Sequence, residues 1–410
     1  MKKIVQIQYR SSPSGDFARR LHNEFVQVGV GSSIVSLYSD VPASEVQLNL
    51  GRTPRFVSRM DNRANAFLTR KTNKEYGLFS YPLLGTNLAD LGPVKEADVI
   101  YLHWVQFGYL NLKNIGQLAK LGKPIVVILH DMWSITGGCH YSFDCNKYQN
   151  KCYDCQFFPG SNQRDLAAIG FEKKAKLYAK YDNLYFVSPS KWLYDCAKQS
   201  GLTKSKPVHY IPNVLDRKVF KPIDKKIAKE ILNIDQEQRV ILFGAVAVNS
   251  PYKGWPYLKS ALDILYQTES AENTLVLVFG GGDNREIAAS IPFKTRFLGR
   301  LHDEYTVALA YNAANVFVAP SLADNLPYTI FESLSCATPV VAFNTGGIPD
   351  LIQHKVNGYL ATYQSAEDIA NGIGYCLNNS LKEVQPPAEL DNGLSMQKHL
   401  ELMDSITRAN

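Results

Sequence analysis

The chain has 410 residues, 45% of them apolar and 20% charged, with a formal net charge of +6. At about 150 residues per domain this length predicts two or three domains, and a composition so near the globular average excludes collagenous, low-complexity and disordered chains. The charge is uneven: residues 1–212 carry 27 Lys+Arg against 16 Asp+Glu, or +11, and residues 213–410 carry 17 against 22, or −5, which predicts two domains with different partners, one of them anionic.

At the start, Met1-Lys2-Lys3 leads into a short apolar stretch broken by Gln6, Gln8 and Arg10, so no signal peptide is expected. No apolar run nears the roughly 20 residues of a membrane-spanning helix. A cytoplasmic protein is expected, touching a membrane at most peripherally, with its seven cysteines as thiols or metal ligands rather than a disulfide framework. Short β-branched runs then alternate with helix-length amphipathic stretches, the pattern of βα units around parallel sheets. Strands are predicted over 4–8, 33–37, 99–103, 125–129, 184–188 and 208–211. A second series follows residue 235, with strands over 239–244, 275–279, 316–319 and 340–343 and helices near 255–267, 303–313, 328–337 and 366–377. Two series predict an α/β protein of two doubly wound, Rossmann-like domains, 1–212 and 213–390, joined through the proline-bearing stretch from Ile211-Pro212-Asn213 to Pro222. A closing helix is expected over 395–408, within a terminal segment 391–410. Two stretches break the rhythm and read as insertions in the first domain: residues 51–79 and residues 139–155.

In the second domain, Asp324-Asn325-Leu326-Pro327-Tyr328 leads into a helix carrying Glu332, and Ala337-Thr338-Pro339 then opens a strand. Loop N–H groups and the helix N-terminus can hold a phosphate or a sugar at such a sheet edge, and Glu332 could accept from ribose hydroxyls. Taken alone, both carboxylates could equally be solvated charges. Lys253, in Tyr252-Lys253-Gly254 after a strand, reads as a phosphate contact rather than an incidental surface lysine. Gly280-Gly281-Gly282, at the next strand end, could let the backbone approach a nucleotide. The first strand leads into Arg10 to Asp16 without a G-x-G-x-x-G turn, which argues against a dinucleotide cofactor and an epimerase-like enzyme. His130 ends a strand, and His103 ends the one before it; a histidine there is an active-site candidate or a structural residue.

Read together, these segments resemble the retaining glycosyltransferases of the GT-B fold, family 4. The resemblance rests on Asp324 to Ala342, on Asn344-Thr345-Gly346-Gly347-Ile348-Pro349-Asp350, on Asn357-Gly358-Tyr359-Leu360, and upstream on Val187 to Leu193, Ile211-Pro212-Asn213 and Phe297-Leu298-Gly299. It implies two domains facing a central cleft, with the acceptor on the first and a nucleotide-sugar donor on the second. The implied donor contacts are Gly244, Lys253, Gly280, Gly281, Asn325, Leu326, Pro327, Tyr328 and Glu332. Asp324 would hold the donor sugar, and His130 would line it. Gly15 and Asp16 fall in the acceptor-side loop, with His103 nearby. The closing helix would return toward the first domain. No catalytic metal is implied, because fixed cations and helix dipoles would stabilise the leaving diphosphate. Two departures stand out: Asp324 replaces the family's usual Glu, and the window Gly244 to Gly254 keeps Lys253 but lacks the Arg that normally precedes it. The second leaves open an inactive relative that binds nucleotide sugar or glycan within an assembly complex.

Cys139, Cys145, Cys152 and Cys155 lie within 17 residues and close with C-x2-C, so they could surround one structural Zn²⁺, with free thiols or disulfides as alternatives. His130-Asp131-Met132-Trp133 followed by this cluster looks like the bacterial exopolysaccharide branch of the family, of the colanic-acid type. Residues 51–79 hold seven basic residues against two acidic ones, interleaved with Phe56, Met60 and Phe67. Such a stretch suits an anionic membrane surface or a lipid diphosphate, and no nucleic-acid motif accompanies it. Lys173, Lys174, Lys176 and Lys180, on one predicted helix, would extend it.

Overall fold

The computed structural model describes residues 2–13, 15–41, 48–160, 164–245, 251–268, 273–281 and 289–408. The chain divides into two compact units, Met1–Val214 with Glu389–Asn410, and Leu215–Ala388. Each is built on an all-parallel sheet.

The first sheet contains β1 (Lys3–Ser11), β2 (Gly31–Ser39), β3 (Leu48–Asn49), β4 (Val99–Leu102), β5 (Ile125–Ile128), β6 (Leu184–Ser188) and β7 (Val208–Tyr210), in the order β3-β2-β1-β4-β5-β6-β7. The second contains β8 (Arg239–Ala245), β9 (Thr274–Gly280), β10 (Lys294–Gly299), β11 (Val316–Ala319), β12 (Val340–Phe343) and β13 (Gly358–Ala361), in the order β10-β9-β8-β11-β12-β13. Central strands such as β11 and β12 are apolar along their whole length because both faces are covered: Val316, Phe317 and Val318 are fully buried, as are Val340 to Phe343. Each such side chain contributes roughly 1.5–3 kcal/mol of burial. The ten predicted strands all form. Three more complete the sheets: β3 has only two residues, β10 is a half-exposed edge strand reading Lys-Thr-Arg-Phe-Leu-Gly without apolar alternation, and β13 takes up Gly358-Tyr359-Leu360 of the family-like segment.

Residues 51–79 are largely a 17-residue helix, Arg52–Leu68. The closing helix, Asn392–Arg408, belongs to the first unit: Asn392 donates to Glu24 at 2.9 Å, and His399 lies buried against Phe25 and Tyr101.

Candidate functional site

In a doubly wound sheet, successive strands run outward in both directions from a switch point, and loops at the C-terminal ends of the two switch strands leave a crevice. In the second unit these strands are β8 and β11. Lys253 ends the 3₁₀ turn Pro251–Lys253 after β8, and Asp324 lies in the loop after β11. The two meet: Lys253 Nζ donates to Asp324 Oδ2 at 2.9 Å. Burial alone would lower the lysine, but the Asp324 carboxylate outweighs it through charge and hydrogen bond and holds the ammonium above its ordinary value. Lys253 keeps a third of its side chain exposed, so the cation is both fixed and reachable.

The surrounding loops are tied to one another. Leu322 N–H donates to the Tyr252 carbonyl at 2.7 Å, Gly347 N–H to the Asp324 carbonyl at 3.1 Å, and the Tyr363 hydroxyl to the Leu322 carbonyl at 3.2 Å. Two glycines permit this crowding. Gly254 has φ +70°, and a Cβ there would stand 1.8 Å from the Pro320 carbonyl oxygen; Gly346 has φ +56°, and its Cβ would stand 2.1 Å from the Asp324 carbonyl oxygen. Gly244 is used for packing, since a Cβ would strike the Phe279 ring at 2.2 Å.

Asp324 Oδ1 accepts from Asn325 N–H at 3.0 Å and Oδ2 from Lys253, so the carboxylate ties the β8 and β11 loops together. Asn325 and Leu326, in the same loop, are buried. The helix Tyr328–Ser335 begins at Pro327, an N-cap residue whose side chain has nothing to accept with. Glu332, on that helix, is 5% exposed and accepts from the Tyr311 hydroxyl at 3.3 Å. Gly280 ends β9 and Gly281 follows it; Gly282 lies outside the described residues.

In the first unit the switch strands are β1 and β4. His103 follows β4 and His130 follows β5, and their rings are hydrogen-bonded, Nδ1 to Nε2, at 3.2 Å. His103 Nε2 lies 2.9 Å from Gln6 Oε1, an oxygen that can only accept, so His103 carries a proton on Nε2. Burial pushes His103 well down, helped by His130, and pushes His130 down to about 4 against the opposing pull of Asp131. Both rings are therefore neutral at physiological pH, and His130 Nε2–H donates to His103 Nδ1. Asp16 is the N-cap of helix Phe17–Gln27: it accepts from Arg19 N–H, Ser12 N–H and Gln8 Nε2, and so shapes the loop that contains Gly15 at φ +67°.

Sequence reasoning passed over Asp131 and His140. Asp131 Oδ2 accepts from His140 Nδ1 at 2.6 Å and Trp104 Nε1 at 3.0 Å, and Oδ1 accepts from Trp133 N–H at 2.8 Å. The signal available was the pairing of His130-Asp131 with Cys139-His140 around the insertion.

Cys139, Cys145, Cys152 and Cys155 are free thiols that line one cavity of about 20 Å³, room for a single water-sized particle. Burial, reinforced by neighbouring thiols, pushes Cys139, Cys152 and Cys155 up to about 12. Among the described residues, no group of three or more His, Cys, Asp or Glu side chains is arranged to hold a metal ion. The expected basic stripe needs one correction. Lys174 is 2% exposed, donates to the Trp133 and Thr136 carbonyls and stacks 3.7 Å from the Trp133 ring centroid, which leaves Lys173, Lys176 and Lys180 on the surface.

Residues 237–379, which contain every loop of the β8–β11 switch point, match the family Glycosyl transferases group 1. The second unit is a group 1 glycosyl transferase domain. An uncharacterized glycosyltransferase of Haemophilus influenzae is 28% identical over 135 residues, 31% of this chain and 37% of that protein. The chain thus spans little more than a third of that relative. The putative colanic acid biosynthesis glycosyl transferase WcaC of Escherichia coli is 24% identical over 384 residues, 85% of each chain. Among solved structures, HepE of Anabaena in complex with UDP-glucose aligns with a TM-score of 0.62 at 16% identity, covering 100% of this chain and 99% of that one. At that identity the likeness is one of fold. The group 1 domain and the first unit together have the GT-B architecture of two Rossmann-like units.

Proposed function

We propose that the protein is a retaining glycosyltransferase that moves a hexosyl group from a UDP- or GDP-sugar to a hydroxyl of a lipid-linked glycan during bacterial polysaccharide assembly. The observation that carries this reading is the Lys253–Asp324 pair, fixed by two switch-strand loops of the group 1 domain. A nucleoside diphosphate leaving group develops negative charge as the glycosidic bond breaks, and a preorganised cation stabilises that charge without reorganising. Lys253 supplies the cation, and loop N–H groups around Asn325 to Tyr328 supply further donors. Glu332 would receive the ribose hydroxyls, exchanging its tyrosine partner for them. His130 would line the donor sugar, and Gly15, Asp16 and His103 the acceptor side. The UDP-glucose held by the Anabaena relative supports a nucleotide-sugar donor, and the likeness to WcaC supports a polysaccharide product.

Glu332→Ala is expected to raise the KM for the donor about tenfold or more, because a ribose contact acts on ground state and transition state alike. An unchanged KM would remove Glu332 from the site.

We further propose that the four-cysteine loop takes one structural Zn²⁺. Four thiols on one ion-sized cavity supply the donor set, and a divalent cation would relieve the repulsion among their thiolates. Ligation would require the thiols to draw together. Protein purified without chelators should carry about one zinc per chain; a content far below that rejects the site. The work of the enzyme would be done in the cytoplasm, on the inner face of an anionic membrane.

A further inference from the structure

The helix Arg52–Leu68 is set into the first unit with its polar side inward. The Ser58 hydroxyl donates to the Phe107 carbonyl at 2.6 Å, Asp61 Oδ1 accepts from the Leu83 and Leu84 N–H groups at 2.8 and 2.7 Å, and Asn65 Oδ1 accepts from Tyr81 N–H at 2.8 Å. The contact is close enough to need a glycine opposite: Gly108 has φ +72°, and a Cβ there would stand 2.4 Å from Asp61 Cβ. Ser58 and Asp61 are fully buried, while Phe56 and Phe67 are each 61% exposed and Met60 39%.

This reverses the usual order of a surface helix, whose apolar stripe faces the core. At 100° per residue, Phe56, Met60 and Phe67 fall within one narrow outward arc, and Arg52, Arg59 and Arg63 fall beside it, all three exposed. The helix's only acidic residue, Asp61, is turned inward. Arg70, just past the helix, stacks over the Phe67 ring at 4.2 Å. No helix among the described residues is long and apolar enough to cross a membrane.

We infer that this outward face is an in-plane docking surface for an anionic phospholipid bilayer, with Phe56, Met60 and Phe67 entering the acyl boundary and Arg52, Arg59, Arg63 and Arg70 meeting lipid phosphates. Interfacial helices of this kind combine an apolar strip with flanking cations, and their binding adds buried apolar area to attraction for anionic lipid. A nucleic-acid duplex would meet the arginines through its phosphates and leave Phe56, Met60 and Phe67 in water. The inference gives a location to the membrane association proposed above and rests on that reading.

The test is sedimentation of the full chain with vesicles of phosphatidylcholine alone or mixed in equal parts with phosphatidylglycerol. Binding should favour the anionic vesicles by about tenfold or more and weaken as salt is raised. Phe56→Ser with Phe67→Ser, and separately Arg59→Glu with Arg63→Glu, should each lower binding to anionic vesicles by about tenfold or more. All four side chains are at the surface, so folding should survive, and hydrolysis of the nucleotide sugar by both variants should match wild type. Equal binding to the neutral vesicles, unaltered binding by either double variant, or a concentration-dependent dimer that both variants abolish would overturn the assignment. Lost vesicle binding with intact hydrolysis leaves the donor site standing, whereas vesicle binding without hydrolysis defeats the enzymatic reading alone.

Discussion

Replacing Lys253 by alanine is expected to lower kcat for sugar transfer by about a hundredfold or more, the usual consequence of deleting one preorganised donor to a developing charge. The effect should fall mainly on kcat, because the leaving diphosphate gains charge only as the glycosidic bond breaks. The substitution also withdraws the ammonium from Asp324, whose side chain is 15% exposed, so a stability loss of about 1–3 kcal/mol should accompany it. Lys253→Arg retains the charge but not the fit: Gly254 is pressed against the Pro320 carbonyl, which limits how far the loop can adjust to a longer, planar group. It should recover part of the rate. A steady-state assay of the two variants decides the matter, and wild-type kcat in the alanine variant would show that Lys253 does not face the leaving group.

The largest stability effect is expected at Asp131. Its carboxylate takes three donors, and Asp131→Ala would leave the His140 ring, the Trp104 indole N–H and the Trp133 N–H without that acceptor in a buried setting. A loss of about 3–5 kcal/mol is the normal cost of removing one partner from such a cluster. The damage should reach the cysteine loop, because His140 neighbours Cys139 and its main chain bridges to Met132 and Leu78. Burial alone would raise Asp131, but His140 outweighs it by charge and hydrogen bond, with the Trp133 and Trp104 donors adding to the effect, and the carboxyl lies below its ordinary value. A depressed carboxyl stabilises the fold fully above the unfolded-state pKa of about 3.9 and loses that contribution as pH falls through the folded value. Wild type should thus lose stability below about pH 4 more steeply than Asp131→Asn. Urea midpoints across that range would measure it, and a midpoint unmoved by Asp131→Ala would contradict the role.

What could be read in the sequence follows from what makes a pattern local. Buried parallel strands such as Val316–Ala319 and Val340–Phe343 are apolar from end to end, so composition alone marks them. The edge strand Lys294–Gly299 is half exposed and carries no such run. At the site, Lys253, Asp324 and the histidines could be nominated because each follows a strand, but the Lys253–Asp324 pair joins residues 71 apart in sequence and depends on β8 and β11 being neighbours. Gln6 reads as an ordinary strand polar residue until it meets His103. Lys174 looks like its exposed neighbours because one charge on a helix does not announce its direction; only the Trp133 ring and the Trp133 and Thr136 carbonyls show that it points inward. The basic, aromatic character of residues 51–79 was visible from composition. That its apolar side faces out was not, since the deciding partners of Ser58, Asp61 and Asn65 lie beyond the segment itself.

The central claim is that the β8–β11 switch point binds and activates a nucleotide sugar. Its most direct test is to incubate the purified chain with radiolabelled UDP- and GDP-sugars and follow release of the free sugar. At least one donor should be hydrolysed slowly by the wild-type protein and not detectably by Lys253→Ala, with the donor's nucleoside diphosphate acting as a competitive inhibitor. Tight nucleotide binding with no turnover of any donor, or hydrolysis undiminished in Lys253→Ala, would contradict it.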